Sequence, residues 1–327
     1  MPTHWLVLVT NVIYVNLYQY FRMNVEYILK NAAGLDGEGP HWDDVTGTLL
    51  YVDINGYAIH RYDAETGSDD KLELDGPVGF AVPARKGGLI AGVGRSLVHV
   101  DWDTKKVTKL HEVEQGLQTR FNDGKCDPKG RVWAGTMGPE EPDIESMPKI
   151  GNLYCLDLDG SLHTLVRNIG ISNGLAWNED EKTMYYVDST PRQIYRYSYD
   201  AATRQISNKK IIVDNRGDSL AEKGVPDGMT IDTEGKLWVA CYLAGKVVRY
   251  DPETGKELQT VYIPSSKRIT SCCFGGKNLD ELYVTCSAYD VPKDELQKYP
   301  LSGSICRVSG LGVKGYKANI YEGRIMI

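Results

Sequence analysis

The sequence predicts an all-β protein, and both its composition and its residue pattern favour that class. Apolar runs such as LLYVD (49–53) and LWVACY (237–242) are short, are rich in Val, Leu and aromatic residues, and lie between turn residues. Glycine is abundant, with 34 residues, and no stretch has the 3.6-residue period of a long amphipathic helix. We therefore expect short strands joined by turns along the whole chain.

One unit of three strands and a more variable outer segment recurs six times. Five of the copies open with a residue followed by glycine, and each copy continues through a short strand and a turn to a strand such as AIHRYD. The clearer copies are 37–63, 172–200 and 226–255, and the weaker ones are 78–103, 122–160 and 270–310. The copies are spaced by roughly 40–55 residues, a period typical of four-stranded propeller blades. The sequence therefore predicts a six-bladed β-propeller.

The two ends of the chain complete this interpretation. The segment NVEYILK (24–30) precedes the first unit, and we expect it to pair with the last blade, which closes the ring and covers both edges. A single propeller domain is therefore expected over 23–327. Residues 1–22 are expected to be an extension of unknown role. A targeting or anchoring segment is the alternative, because the stretch is fairly apolar. It lacks a clear basic start and cleavage site of a signal peptide, which favours the extension.

Charge and cysteine content exclude several classes of partner. The net charge is −7, and Lys and Arg are dispersed among acids, which disfavours a nucleic-acid partner. The seven cysteines are odd in number and form no CxxC, which favours reduced thiols and a cytoplasmic location, with secretion left open by residues 1–22. No membrane partner is evident, and we expect a monomer or a weak dimer.

The residue before the glycine that opens five of the units, with its equivalent in the sixth, is the candidate functional position. In a propeller the innermost strands line the central channel, so equivalent residues of different blades converge at one mouth. These residues are Glu38, Val78, Asp123, Asn173 and Asp227, with Thr270 or Ser271 in the last unit. Asp or Asn before Gly also suits a turn, so each residue alone has a simpler explanation. Together, converging oxygen donors favour a hard divalent cation at one mouth of the channel: Ca²⁺ first, with Zn²⁺, Mn²⁺ or Mg²⁺ as alternatives.

The third unit contains a cation beside this position. In TRFNDGK (119–125), strand alternation puts Arg120 and Asn122 on one face and Asp123 on the other. If Arg120 and Asn122 face the channel, they offer a charged group and an amide to a polar ligand, and Asp123 is left to make the turn. In the acidic loop that follows, Glu140 is the acid nearest to the strand end.

Motifs spread along the chain resemble, in order, those of the gluconolactonase and luciferin-regenerating-enzyme family. They are GEGPHW, RFNDGKCDPKGRVWAGTM, ISNGLAWNEDEKTMYYVDS, PDGMTIDTEGKLWVACY, TSCCFGGKNLDELYVTC and GLGVKG. The resemblance runs from about residue 24 to 323. It implies a six-bladed propeller with one divalent ion near its axis. The second unit matches poorly, so the pocket wall that it builds, and with it the substrate, can differ from the family's.

The resemblance also implies a role for each matching residue. The family's metal ligands carry over to Glu38, Asn173 and Asp227, which the repeat pattern selects independently. The aspartate of PDG, here Asp227, is in addition the family's proposed general base.

The sugar-contacting residues of the family carry over to Arg120 and Asn122 in RFNDG and to Glu140 three residues after GTM. The loop sequence GPEEP departs from the family's usual pattern, so Glu141 is an alternative to Glu140.

The predicted function is metal-dependent hydrolysis of a small sugar lactone such as gluconolactone, together with calcium binding. Hydrolysis of an aryl ester or a phosphotriester, or luciferin recycling, remains possible on the same scaffold. A calcium-binding regulator without turnover and a protein-docking propeller are alternatives of another class. A docking propeller would not need a ring of acids around its axis, and a calcium sensor would not need Arg120 beside it.

Overall fold

The computed structural model describes residues 23–34 and 36–325, and these residues form six antiparallel sheets of four strands each. The sheets are the blades of a propeller, since the innermost strands of neighbouring blades contact one another around a closed ring. The six-bladed fold predicted from the repeats is therefore confirmed. The expected extension, residues 1–22, lies outside the described residues.

Within each blade the strands follow one another from the channel to the rim. Blade 1 comprises β2 (Gly37–Asp43), β3 (Thr48–Asp53), β4 (Ala58–Asp63) and β5 (Asp69–Glu73), and blade 2 comprises β6 (Val78–Pro83), β7 (Leu89–Val93), β8 (Ser96–Val100) and β9 (Val107–Glu112). Blade 3 comprises β10 (Arg120–Cys126), β11 (Val132–Met137), β12 (Gly151–Leu156) and β13 (Leu162–Ile169), and blade 4 comprises β14 (Ser172–Trp177), β15 (Thr183–Asp188), β16 (Gln193–Asp200) and β17 (Gln205–Asp214). Blade 5 comprises β18 (Val225–Ile231), β19 (Leu237–Tyr242), β20 (Lys246–Tyr250) and β21 (Glu257–Tyr262), and blade 6 comprises β22 (Ile269–Gly275), β23 (Glu281–Cys286), β24 (Ile305–Ser309) and β1 (Asn24–Leu29).

Among the described residues, helical structure is confined to connections. A 3₁₀ turn spans Ile144–Ser146, and two short helices are α1 (Leu220–Lys223) and α2 (Lys293–Lys298). No helix among the described residues has the length and apolar character needed to span a membrane. All seven cysteines are free and buried.

The ring is closed by strand β1, the outermost strand of blade 6. It runs antiparallel to β24, with Asn24 opposite Ser309 and Tyr27 opposite Cys306. The prediction that 24–30 pairs with the last blade is therefore confirmed. Because β1 and β24 come from the two ends of the propeller, this pairing joins the first and last parts of the chain.

The hydrophobic core is divided among the interfaces between adjacent blades. Each of six clusters of buried side chains in the described residues combines residues of two neighbouring blades. At one interface, Trp133 of blade 3 packs edge-on against Trp177 of blade 4, with ring centroids 5.7 Å apart. This arrangement leaves the axis free of the core, so the innermost strands present polar residues to the channel.

Every innermost strand has an irregular register near its first residues. In β10 the pairing with β11 shifts between Phe121 and Asp123, and the other five innermost strands shift at corresponding positions. A bulge inserts an unpaired residue and changes the direction of nearby side chains. These bulges therefore set which residues face the channel mouth.

Candidate metal and substrate site

A pocket of about 390 Å³ opens at the mouth of the channel where the innermost strands begin. Its walls are the first residues of these strands and the loops above them. All six residues predicted from the sequence line it: Glu38, Arg120, Asn122, Glu140, Asn173 and Asp227. The fold thus brings together residues from blades 1, 3, 4 and 5.

Glu38 is a buried carboxylate at the start of β2, with 6% of its surface exposed. Its Oε2 accepts a hydrogen bond from the main-chain N–H of Gly39 at 2.8 Å. Burial raises the pKa of Glu38 well above its usual range, and the nearby charges of Asp227 and Asp123 raise it further. A proton or a cation is therefore favoured at this carboxylate.

Asp227, on β18, is likewise a buried carboxylate with a raised pKa. Burial raises its pKa well above the usual range, with added repulsion from Asp123 and Asp36. Arg120 opposes this pKa shift, but its effect is smaller than that of burial or of either acid. Several carboxylates thus share one low-dielectric region, where ionisation is unfavourable unless a positive charge lies between them.

The prediction that Asp123 only makes a turn is wrong. Asp123 lies inside strand β10, opposite Gly135, and is 5% exposed. The bulge between Phe121 and Asp123 breaks simple alternation, so that Asn122 lines the pocket while Asp123 lies close enough to Glu38 and Asp227 to raise both of their pKa values. Burial raises the pKa of Asp123 itself, against the opposing effect of Lys125.

A chain of hydrogen bonds fixes the two amides of the site. Asn122 Nδ2 donates to Asn173 Oδ1 at 3.1 Å and to the main-chain oxygen of Ser172 at 3.0 Å. Asn173 Nδ2 donates to Ser189 Oγ at 2.8 Å, and this hydroxyl donates to the main-chain oxygen of Pro226 at 2.6 Å. The Asn173 oxygen is thereby held toward Asn122 and keeps a lone pair for another partner.

Arg120 connects the residues predicted to contact substrate. Its Nη1 donates to Asn122 Oδ1 at 2.6 Å, and its Nη2 lies 3.4 Å from Glu140 Oε1. Glu141 also lines the pocket, but Glu140 is the acid that pairs with Arg120. The guanidinium and the Glu140 carboxylate together offer donors and acceptors at the pocket entrance, as a polyhydroxylated ligand requires.

The remaining repeat positions contribute little to the pocket. Val78 of blade 2 is fully buried in the core between blades 1 and 2. In blade 6, Thr270 Oγ1 donates to the main-chain oxygen of Gly37 at 2.6 Å. The hydroxyl thus binds the neighbouring blade, and neither Thr270 nor Ser271 lines the pocket.

Sequence reasoning missed four charged residues of the pocket wall, Asp36, Asp143, Arg268 and Asp290, of which Asp36 and Arg268 make the clearest contacts. Asp36 lies two residues before Glu38, and its Oδ2 accepts from Asn55 Nδ2 at 3.0 Å. Strand alternation from Glu38 would have pointed to it. Arg268 precedes β22 and donates to the main-chain oxygen of Tyr289 at 2.7 Å. No repeat motif marks its position.

The donor set suits a hard divalent cation. Within residues 23–34 and 36–325, no three His, Cys, Asp and Glu side chains form a metal-binding group by themselves. The predicted ligand set is of another kind, with the carboxylates of Glu38 and Asp227 and the amide oxygen of Asn173. All its donors are oxygens, as Ca²⁺ and Mg²⁺ prefer, and a cation would relieve the repulsion that raises both acid pKa values. The residues therefore fit the expected ion.

Comparisons with known proteins agree with this fold. The SMP-30/Gluconolactonase/LRE-like region matches residues 36–288 of the chain. Regucalcin from Danio rerio is 40% identical over 302 residues, which cover 92% of this chain and 99% of that protein. The structure of a luciferin-regenerating enzyme has a TM-score of 0.83 and 35% identity, covering 92% of this chain and 99% of the other. A structure of regucalcin from Agrobacterium tumefaciens, described as a calcium-binding protein, has a TM-score of 0.81 and 26% identity, covering 91% and 97%.

Proposed function

The chain belongs to the SMP-30/gluconolactonase/LRE-like family, and from this membership we propose that it is a metal-dependent lactonase that hydrolyses small sugar lactones. One observation supports the proposal most strongly: a single pocket contains both buried carboxylates that repel one another and a cation hydrogen-bonded to an amide. Glu38 and Asp227 supply the first feature, and Arg120 with Asn122 supplies the second. A cyclic ester bearing hydroxyl groups needs both an electrophilic centre and hydrogen-bonding partners for its ring.

Glu38, Asn173 and Asp227 would hold the divalent ion, with Ca²⁺ as the first candidate. When bound, a divalent ion supplies Lewis-acid chemistry, which polarises a carbonyl and offsets the negative charge that develops on its oxygen. The calcium-binding description of the Agrobacterium regucalcin supports this choice of ion. The buried amide chain through Ser189 holds Asn173 in one orientation, so its oxygen is ready for the ion without rearrangement.

Asp227 is the general base of the proposed reaction. Its carboxylate would accept a proton from the attacking water, the role of a positioned carboxylate base. Arg120 and Asn122 would hold the lactone hydroxyl groups, and Glu140 would accept from a hydroxyl at the entrance. The hydrogen bonds from Arg120 to Asn122 and Glu140 place these three groups on one side of the pocket. We further propose a cytoplasmic monomer or weak dimer whose partner is the small substrate alone.

Calcium binding without turnover is the second candidate, because the Agrobacterium relative is described only as a calcium-binding protein. One experiment separates the two. The release of acid from gluconolactone is measured before and after dialysis against a chelator and after addition of Ca²⁺, Mg²⁺, Mn²⁺ or Zn²⁺, with correction for spontaneous ring opening. Circular dichroism follows the fold in parallel.

We expect chelation to abolish hydrolysis, a divalent ion to restore it, and the fold to persist, because the interblade clusters do not involve the metal ligands. Full activity in thoroughly metal-free protein would contradict the proposed mechanism. Tight Ca²⁺ binding without hydrolysis of any lactone tested would favour the regulatory role. Arg120→Met separates substrate binding from metal binding. It should weaken lactone binding while leaving the affinity for the metal nearly unchanged.

A further inference from the structure

A second cavity, of about 400 Å³, lies at the opposite mouth of the channel. It is lined by innermost-strand residues that follow the metal-site residues by about three positions, including His41, Lys125, Ala176, Thr230 and Cys273. Three residues of strand span about 10 Å, so this cavity and the metal pocket are at different ends of the same strands. The lactonase proposal assigns no role to it.

The segment after β24 covers this cavity. Tyr316, Lys317, Ala318 and Asn319 form part of its wall. The segment is fixed on both sides, because Gly315 N–H donates to Leu279 at 2.8 Å and Tyr321 N–H donates to Pro83 at 2.9 Å. A main-chain strap thus crosses the channel mouth from blade 6 to blade 2 and limits the cavity to small ligands.

Polar groups inside the cavity lack the partners that buried groups normally have. His41 is 7% exposed, and its Nε2 has no hydrogen-bond partner among the described residues. The indole Nε1 of Trp177, which is also 7% exposed, is likewise without a partner in that part of the chain. Buried donors are normally satisfied, so an external acceptor is the simplest partner for both.

Lys125 gives the cavity a positive charge. Its ammonium donates to the main-chain oxygen of Met229 at 2.6 Å, a neutral acceptor that uses one of its three N–H groups. Burial and the Lys125 charge lower the pKa of His41 to about 4, so the imidazole is neutral at pH 7. A neutral imidazole beside an ammonium can donate an N–H to an anion without adding a second positive charge.

The charged groups at the rim already have partners of their own. Glu181 pairs with Lys129 at 2.6 Å, and Lys317 pairs with Asp44 at 2.6 Å. The remaining acid, Glu179, accepts a hydrogen bond from Tyr316. Lys125 lines the cavity without a direct ion pair among the described residues, although its charge also acts on the buried carboxylate of Asp123.

We propose that this cavity is a second binding site, for a small organic carboxylate with a flat apolar body. The carboxylate would accept hydrogen bonds from Lys125 and His41, and the body would pack against Leu175, Ile231 and Phe274. An inorganic anion would satisfy Lys125 but would leave these apolar walls uncovered. The site does not depend on lactone hydrolysis, so it stands or falls separately from the proposed function.

Isothermal titration of the full chain with benzoate tests the proposal, with benzyl alcohol as the uncharged comparison. We expect benzoate to bind and benzyl alcohol to bind at least tenfold more weakly, because a charge-assisted hydrogen bond is lost. Lys125→Met should weaken benzoate binding at least tenfold. Arg120→Met, which removes a cation of the metal pocket, should leave it within about twofold.

Two further measurements locate the ligand. Diffraction from a crystal grown with 4-bromobenzoate should place bromine between Lys125 and the strap. Ala318→Trp should block benzoate binding, because the larger side chain fills the cavity from the strap. Ala318 lies outside the channel core, so this variant still tests the proposal if Lys125→Met does not fold. Absence of benzoate binding, bromine only in the metal pocket, or binding that is lost in Arg120→Met and kept in Lys125→Met would each overturn the proposal.

Discussion

The carboxylate of Asp227 can act as a turn residue, as a metal ligand or as a base, and these roles make different demands on its charge. A turn before Gly228 accepts Asn as readily as Asp. A metal ligand needs an oxygen, which Asn also provides, although more weakly. A general base needs a group that can take up a proton, which Asn lacks. The burial and raised pKa of Asp227 are consistent with the last two roles.

Asp227→Asn separates these roles, with hydrolysis measured as a function of metal concentration. We expect turnover to fall by roughly 10²–10⁴ at saturating metal, the usual contribution of a positioned general base. Asn173→Asp is the matched variant: it adds negative charge to the metal site and supplies no base beside the attacking water, so it should bind metal more tightly. Wild-type turnover of Asp227→Asn at high metal would show that Asp227 is a ligand only.

Glu38→Gln tests whether the carboxylates destabilise the metal-free protein. The pKa of Glu38 is raised above the ordinary 4.5, so the folded state keeps a proton that the unfolded state has released once the pH exceeds that value. The free energy of unfolding of wild type should therefore decline as pH rises from about 4.5 through the raised pKa, by up to about 1.4 kcal/mol for each pH unit crossed. The neutral Gln variant lacks this decline, so without metal it should be more stable than wild type at pH 7.5.

Urea unfolding at pH 5 and pH 7.5, with and without Ca²⁺, measures this difference. The advantage of the Gln variant should shrink toward pH 5 and reverse with Ca²⁺, because the ion stabilises only the intact ligand set. A metal-free Gln variant less stable than wild type at pH 7.5 would show that Glu38 contributes a favourable interaction instead.

At the level of the strands, the bulges mark how far the sequence could predict the site. The residue-before-glycine pattern located Glu38, Asn173 and Asp227 because the repeats put equivalent residues at one mouth. Strand alternation misassigned Asp123, because two-residue alternation holds only where the register is regular and β10 is bulged at that point. Arg268 could not be found, since its place in the pocket depends on the path of a loop that does not repeat.

The glycines that follow Asn173 and Asp227 allow neighbouring blades to approach closely at the channel. A Cβ added at Gly174 would lie 2.7 Å from the main-chain oxygen of Asp227 and 2.8 Å from the main-chain nitrogen of Met229. Backbone atoms cannot move aside as a flexible side chain can. The glycine of the repeat is thus explained by contact between strands β14 and β18, in addition to local turn preference.

Gly174→Ala should therefore destabilise the protein by about 1–3 kcal/mol, the usual cost of overpacking, and reduce hydrolysis by displacing Asp227. Gly76→Ala is the matched control, because its added Cβ would meet only Val93 Cγ1, at an ordinary 3.6 Å. Thermal or urea unfolding of the two variants gives the comparison. Equal stability of the two would show that blades 4 and 5 can separate slightly without cost.

For the whole molecule, the number of blades was predictable because each repeat forms the same sheet, and six repeats close a ring. The position of the strap was not predictable. The motif GLGVKG gives no sign that the chain after it crosses the channel mouth, because this path is set by main-chain contacts with blades 2, 3, 5 and 6. The second cavity exists only because of that crossing, so it too was beyond sequence reasoning.

The last prediction concerns the closure of the ring, and it also tests the expected domain boundary at residue 23. Two deletions differ only in strand β1: removal of 1–22 keeps it, and removal of 1–30 takes it away. In the full chain, Tyr27 Oη accepts from Ser265 N–H at 2.9 Å, Glu26 pairs with Arg307 at 2.6 Å, and Val25 packs on the cluster between blades 5 and 6. Loss of this packing should cost about 3 kcal/mol or more.

Urea unfolding and lactone hydrolysis should therefore be nearly unchanged after removal of 1–22, and clearly impaired after removal of 1–30. The longer deletion also exposes the edge of β24, so we expect it to associate into larger species in size-exclusion chromatography. Adding a peptide with the sequence of residues 23–31 should partly restore its stability, because an added strand can pair with the open edge. If removal of 1–22 alone were as damaging as the longer deletion, the propeller domain would have to begin before residue 23.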